Sequence, residues 1–141
     1  INLPVIKRKY NFKGLQLLLV EDEVSISESC TELLTTKGCH VTSVSNAKDA
    51  MMAIQKDHFG IVVMDLKMPG EMSGIQLHEW MMSHIPAMQG KIILMTGDTL
   101  SPECSAFIEM SKVDFIAKPF HFNDFLEKID RMARNTGALQ A

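Results

Sequence analysis

The sequence predicts an α/β fold, a parallel sheet of five strands covered by helices on both faces. Five short strand-like runs, almost wholly apolar except the second, His40 to Val44, alternate with five stretches whose apolar residues recur at helical spacing. Strict alternation of this kind is built from right-handed strand–helix–strand crossovers, which lay the strands side by side in one direction. The runs also share an ending: Glu21 and Asp22 close the first, Asp65 the third, Thr96 the fourth and Lys118 the fifth. In a parallel sheet such endings gather at one edge, where open α/β sheets bind their ligands.

Residues 1–14 carry Pro4, the basic triplet Lys7-Arg8-Lys9 and Gly14 without periodicity, and are expected to be a linker or tail. Leu15 to Val20, broken only by Gln16, is the first strand. Val24 to Lys37 places Ile26, Cys30, Leu33 and Leu34 on one helical face and stops at Gly38. His40 to Val44 is a short second strand. Asn46 is set to cap a helix in which Ala47, Ala50, Met51 and Ile54 repeat at i, i+3, i+4 and i+7.

The third strand, Ile61-Val62-Val63-Met64-Asp65, is the pivot, four apolar residues ending on an acid and followed by Leu66-Lys67-Met68-Pro69-Gly70. A helix capped by Ser73 follows, with Ile75, Leu77, His78, Met81 and Met82 around its apolar side, ending near Pro86. Lys91 to Met95 is the fourth strand, running into Thr96-Gly97-Asp98. Ser101-Pro102 is a helix start, with Cys104, Phe107 and Ile108 facing inward. Phe115-Ile116-Ala117 is the last strand, and Phe122, Phe125, Leu126, Ile129 and Ala133 mark the last helix. The domain is expected over 15–134, with 135–141 as a C-terminal tail.

At 141 residues and 46% apolar content the chain has the size and composition of one globular domain. A net charge of −3 supplies no basic field for nucleic acid, so no direct nucleic acid contact is expected. No apolar run approaches the ~20 residues of a membrane span and no signal peptide is evident, so the domain is expected to be cytoplasmic without membrane contact. Three cysteines without close pairing are expected to be buried free thiols. Eleven methionines are expected mostly to fill the core. His78, Glu79 and His84 lack the spacing of a metal signature. His121 is expected near a helix cap, and Trp80 as partly exposed packing. A chain beginning with Ile1 is expected to be part of something longer.

Three carboxylates held together at a strand edge repel one another unless a cation sits among them. All-oxygen ligands with room for water suit Mg²⁺, or Mn²⁺ in its place. With that cation and Lys118 present, the site gains a positive surplus that receives a group with several negative oxygens, and Thr96 adds a hydroxyl donor. Phosphoryl is the natural candidate.

These residues resemble the CheY-like receiver domains of two-component response regulators. The resemblance lies in Leu18-Leu19-Val20-Glu21-Asp22-Glu23, in Met64-Asp65-Leu66-Lys67-Met68-Pro69 with Gly74 closing the loop, in Met95-Thr96-Gly97, and in Phe115-Ile116-Ala117-Lys118-Pro119-Phe120. It implies a flavodoxin-like (βα)5 three-layer sandwich with strand order 2-1-3-4-5, an order the general rule for such sheets illustrates with this same family. It also implies that Asp65 takes a phosphoryl group from a phosphohistidine on a histidine kinase or histidine phosphotransfer domain. Asp22, Asp65 and the backbone carbonyl of Lys67 would hold Mg²⁺, with Glu21 helping through water.

By the same resemblance Lys118 pairs with Asp65 and then with the phosphoryl group, Thr96 moves toward it, and Phe115 turns inward. Gly97 leaves water a path to the site. The face formed by the fourth helix, fifth strand and fifth helix then changes its affinity for an output domain or protein, and homodimerisation stays open. The parent is expected to be either a hybrid histidine kinase with this domain at its C-terminus or a truncated regulator, and the start at Ile1 with the linker-like residues 1–14 favours the hybrid kinase. The domain itself is expected to be no enzyme beyond its own phosphotransfer and autodephosphorylation. Two other functions stay open, a receiver acting as a phosphorylation-independent interaction module and a phosphohydrolase of the haloacid dehalogenase type. The latter needs a second acid two residues after its nucleophile, where this chain has Lys67.

Overall fold

A computed structural model describes residues 9–97 and 101–140. Most of the segment expected as a linker, together with Asp98, lies outside them. The elements alternate as expected: β1 Gln16–Val20, α1 Val24–Thr36, β2 His40–Val44, α2 Ala47–Lys56, β3 Ile61–Asp65, α3 Gly74–His84, β4 Ile92–Thr96, α4 Pro102–Ser111, β5 Asp114–Ala117 and α5 Phe122–Asn135. A 3-10 turn, Pro86–Met88, lies between α3 and β4. The strands pair in parallel in the order β2-β1-β3-β4-β5.

Side chains alternate across a strand, so each buried strand feeds two cores. Leu17, Leu19, Ile61, Val63, Ile93 and Met95 pack with Cys30 and Leu34 of α1 and with Phe125 and Ile129 of α5. Their neighbours Leu18, Val20, Val62, Met64, Ile92 and Leu94 face the other way, onto Ala50 and Ile54 of α2, Leu77 and Met81 of α3 and Cys104 of α4. Helices on both faces of one sheet make three layers. Full burial of each such Leu or Ile contributes ~1.5–3 kcal/mol before entropy is counted.

Local chemistry fixes where the helices start. Asn46 Oδ1 accepts the Asp49 N–H at 2.8 Å at the head of α2. At α3 the cap is reciprocal, with Gln76 N–H donating to Ser73 Oγ at 3.1 Å and Ser73 N–H donating to Gln76 Oε1 at 2.9 Å. Gly38, at φ +92°, takes the left-handed turn that ends α1.

The core reaches past the expected domain boundaries at both ends. Phe12 is wholly buried and its N–H donates to the Lys37 carbonyl at 2.8 Å. Leu139 is buried too, with its N–H on the Ala133 carbonyl at 3.0 Å. Cys30, Cys39 and Cys104 are free and buried, and burial pushes the Cys30 thiol up to about 11 and the Cys39 thiol up to about 12. The methionines mostly fill the core as expected, with Met51, Met68, Met72 and Met82 packed against it partly buried. Five are buried, Met64, Met81, Met88, Met95 and Met132, whereas Met52 and Met110 stand 61% and 84% exposed on helix surfaces.

Candidate functional site

The strand register gathers the polar endings. Val20 lies beside Met64, which brings the next residues, Glu21 and Asp65, level with each other. Asp65 pairs with Met95 and Thr96 with Ala117, so Thr96 and Lys118 end the same edge. Lys118 N–H donates to the Thr96 carbonyl at 2.8 Å and Glu21 N–H to the Val44 carbonyl at 3.0 Å, tying this edge into the sheet. By strand alternation Glu21 follows Leu17 and Leu19, Asp65 follows Ile61 and Val63, and Lys118 follows Ile116, so all three belong to the α1–α5 face.

At the centre one ammonium serves two carboxylates. Lys118 Nζ lies 2.5 Å from Glu21 Oε1 and 2.6 Å from Asp65 Oδ2. Asp65 Oδ1 also accepts the Lys67 N–H at 3.0 Å, and Glu21 Oε2 the Glu23 N–H at 3.3 Å. Glu21 is 2% and Asp65 7% exposed. Burial pushes the Glu21 carboxyl above its ordinary value, against the pull of the Lys118 ammonium. Burial also works against the charge on Lys118, but the hydrogen bonds it donates to Asp65 and Glu21, with their negative charges, outweigh it and hold the ammonium above its ordinary range.

Asp22 completes the group. Ligand oxygens of Glu21, Asp22 and Asp65 all lie within 4.8 Å of one another, and Asp22 is the exposed member. Two buried acids and one facing water form a hard-oxygen donor set open on one side, which is the chemistry Mg²⁺ takes, with water completing its shell.

Thr96 is 1% exposed at the end of β4, on the alternation that faces α4, while Phe115 on β5 is 38% exposed. Gly97 is exposed, and a Cβ built there would have Lys118 Cβ, 4.0 Å away, as its nearest neighbour. Gly74 seats the other wall. A Cβ there would come within 2.7 Å of the Asp65 carbonyl oxygen and of Leu66 Cα, so glycine lets the first turn of α3 press against the backbone that carries Asp65.

The direct grip of Glu21 on Lys118 is what the sequence reading missed, having given Glu21 to the metal alone. The signal was that a glutamate is one methylene longer than an aspartate, which extends its reach toward β5. Among the other singled-out residues, His78 is buried with its ring edge-on to Phe107, and His84 is exposed, stacked on Trp80 with Nδ1 3.0 Å from the Trp80 carbonyl. His121 holds the N-cap of α5 without a side-chain cap. No helix among the described residues is long and apolar enough to cross a membrane.

Comparison with known proteins points the same way as the geometry. The profile described as "Response regulator receiver domain" matches residues 17–130. The receiver protein CpdR of Brucella abortus is 32% identical over 120 residues, covering 83% of this chain and 95% of CpdR. The transcriptional regulatory protein GltR of Pseudomonas aeruginosa is 28% identical over 121 residues, covering 86% of this chain and 50% of GltR, so the chain spans about half the length of that relative. Among solved structures, the receiver domain of the sensor histidine kinase PA1611 from Pseudomonas aeruginosa superposes with a TM-score of 0.73 at 23% identity, covering 88% of this chain and 98% of that one. That structure holds a magnesium ion in its active-site cleft.

Proposed function

This chain belongs to the response regulator receiver domain family, and on that premise we propose that Asp65 is a phosphoacceptor in a two-component phosphorelay. The family places the chain among signalling domains. The shared ammonium carries the finer reading: Lys118 binds Asp65 and Glu21 together at the edge where Asp22 opens to water.

In the proposed reaction an Asp65 carboxylate oxygen attacks the phosphorus of a phosphohistidine carried by a histidine kinase or phosphotransfer domain. The P–N bond breaks, its electron pair returns to the imidazole nitrogen, and the new O–P bond leaves an acyl phosphate on Asp65. Asp22, Asp65 and the Lys67 carbonyl, with Glu21 assisting, would hold Mg²⁺, which supplies charge neutralisation for the phosphoryl oxygens. The Lys118 ammonium passes from the Asp65 carboxylate to a phosphoryl oxygen, and Thr96 donates its hydroxyl to another. Gly97 leaves the site open to water for hydrolysis. Inward rotation of Phe115 then reshapes the α4–β5–α5 face toward an output domain or protein, a two-state change biased by a charge.

The proposal includes a cytoplasmic location, the parent as a hybrid histidine kinase, and the division into 1–14, 15–134 and 135–141, with Phe12 and Leu139 anchoring the flanks. The test is intact mass after incubation with Mg²⁺ and acetyl phosphate. The wild-type chain gains one phosphoryl group, and Asp65→Asn and chelation of the metal each abolish the gain. An unchanged mass would leave a static interaction module, and steady turnover of phosphate esters a phosphohydrolase.

A further inference from the structure

At the end of the sheet opposite Asp65, the C-terminal ends of α3, α4 and α5 enclose a groove of about 850 Å³. It opens beside Ile92, where β4 begins, and β4 rises roughly 13 Å from there to Thr96, so the groove is separate from the acidic edge. Its volume falls within the ~300–1,000 Å³ of small-molecule sites.

Among the described residues, two side chains there make no hydrogen bond or ion pair and a third makes a single exposed one. His78 is 8% exposed, yet among the described residues its ring takes part in no hydrogen bond, and its ring contact is with Phe107, edge-on with centroids 5.0 Å apart. Among those residues Thr31 Oγ1 alone is a buried side-chain polar atom without a partner, so the His78 nitrogens reach open space, and the groove is what His78 lines. Lys112, exposed at the left-handed end of α4, makes no ion pair among the described residues. Among the described residues Arg131 pairs with Glu127 alone, 2.7 Å away on the same exposed face of α5, a pairing worth less than ~1 kcal/mol. The acid on the rim, Asp114, is already neutralised by Lys128 at 2.6 Å.

The remaining walls combine the neutral polar residues Gln89, Ser111, Asn135 and Thr136 with adaptable apolar ones, Met82 from α3, Met110 from α4, Met132 from α5, and Val113 and Ile92. Burial holds the His78 imidazole below its ordinary value, against the neighbouring Glu79 charge, so it meets a ligand as a neutral donor or acceptor. Two available cations, a neutral imidazole and methionine walls suit a singly charged acid with an apolar body. A compact, strongly hydrated ion would sit against methionine side chains that cannot replace its water.

We propose that this groove between α3, α4 and α5 binds a small organic monocarboxylate, its carboxylate held by Lys112 and Arg131, its body seated on the methionines and His78 completing the polar contacts. Because the ligand would touch three helices at once, any shift of α4 changes its affinity and the ligand biases α4 reciprocally.

The test is an NMR titration of the ¹⁵N-labelled 141-residue chain with 3-phenylpropionate, run beside 3-phenylpropan-1-ol and inorganic phosphate at constant ionic strength. Saturable shifts are expected for the carboxylate alone, confined to residues near 78–82, 110–114 and 131–136. The alcohol should bind at least tenfold more weakly, and so should the carboxylate to Lys112→Gln/Arg131→Gln, whose substitutions are exposed and leave the fold intact. No saturable shift overturns the proposal. Equal affinity for the alcohol would show an apolar crevice without anion recognition, and equal shifts with phosphate an ion effect only. Asp65 takes no part in any arm, so the outcome is independent of the phosphoacceptor reading.

Discussion

Glu21 and Lys118 are 97 residues apart in the chain and 2.5 Å apart in space, with the carboxylate side chain wholly buried and the ammonium shared with Asp65. A buried pair stripped of one partner leaves a charge with no water and no counterion. Lys118→Ala should therefore destabilise the chain by about 2 kcal/mol, less than the ~3–5 kcal/mol of fully buried pairs, because Glu21 escapes by taking up a proton. That escape sets the sign with pH. Burial already raises the folded-state value of Glu21, so its cost is complete above that value and vanishes as pH falls toward the unfolded value of 4.5. Urea unfolding without divalent cation should show a larger loss at pH 8 than at pH 5, and equal losses would remove Glu21 from the account. In the acetyl phosphate assay the same variant should still accept phosphoryl slowly, while its α4–β5–α5 face stays in the resting state.

Asp22 is the exposed acid of the trio, and the oxygens of Glu21 and Asp65 are already engaged by Lys118, Lys67 and Glu23. A divalent cation entering from solvent meets Asp22 first. Asp22→Asn should weaken Mg²⁺ binding at least ~10-fold, a loss of about 1.4 kcal/mol, when measured by calorimetry. The substitution is at the surface and should leave the unfolding midpoint without metal nearly unchanged. Undiminished affinity would move the metal away from this carboxylate.

Gly74 offers a contest of two opposing effects. Alanine in a helix is favoured over glycine by at most ~1 kcal/mol, and less in the first turn. Against that, the new Cβ would lie 2.7 Å from the Asp65 carbonyl oxygen and from Leu66 backbone atoms, which cannot swing aside as a side chain does. Overpacking of this kind costs ~1–3 kcal/mol, so the steric effect wins. Gly74→Ala should lower stability by about 1–2 kcal/mol and slow phosphoryl acceptance, because the backbone that yields carries Asp65. A more stable, fully reactive variant would contradict the close approach.

Much of this arrangement is legible in the sequence because it depends on local pattern. Ile61–Asp65 is a strand with the bounds its apolar run predicts, and alternation assigns each of its side chains to a face. The site is legible for the same reason, since its residues mark strand ends that a parallel sheet must align. Phe12 and Leu139 are not legible. Each is an isolated apolar residue in an aperiodic segment, and only the assembled fold supplies the cavity that buries it. The Glu21–Lys118 contact and the groove at the far end share that limit, because each depends on how far side chains from distant elements reach across space.

His78 shows the same limit and yields a last prediction. Helical spacing places it on the apolar side of α3, and burial there lowers its folded-state value below the ordinary 6.5. The unfolded chain then binds a proton that the folded chain refuses. Its share of stability is intact above 6.5 and is lost as pH falls from there through the depressed folded value. His78→Phe keeps an aromatic ring against Phe107 and has no titrating nitrogen, so it should flatten the stability profile between pH 7 and 5 relative to wild type. An NMR titration of the His78 ring reads the folded value directly. A midpoint at or above 6.5 would mean that the imidazole is solvated or has found an acid, and the loss of stability below neutral pH would then belong to other groups.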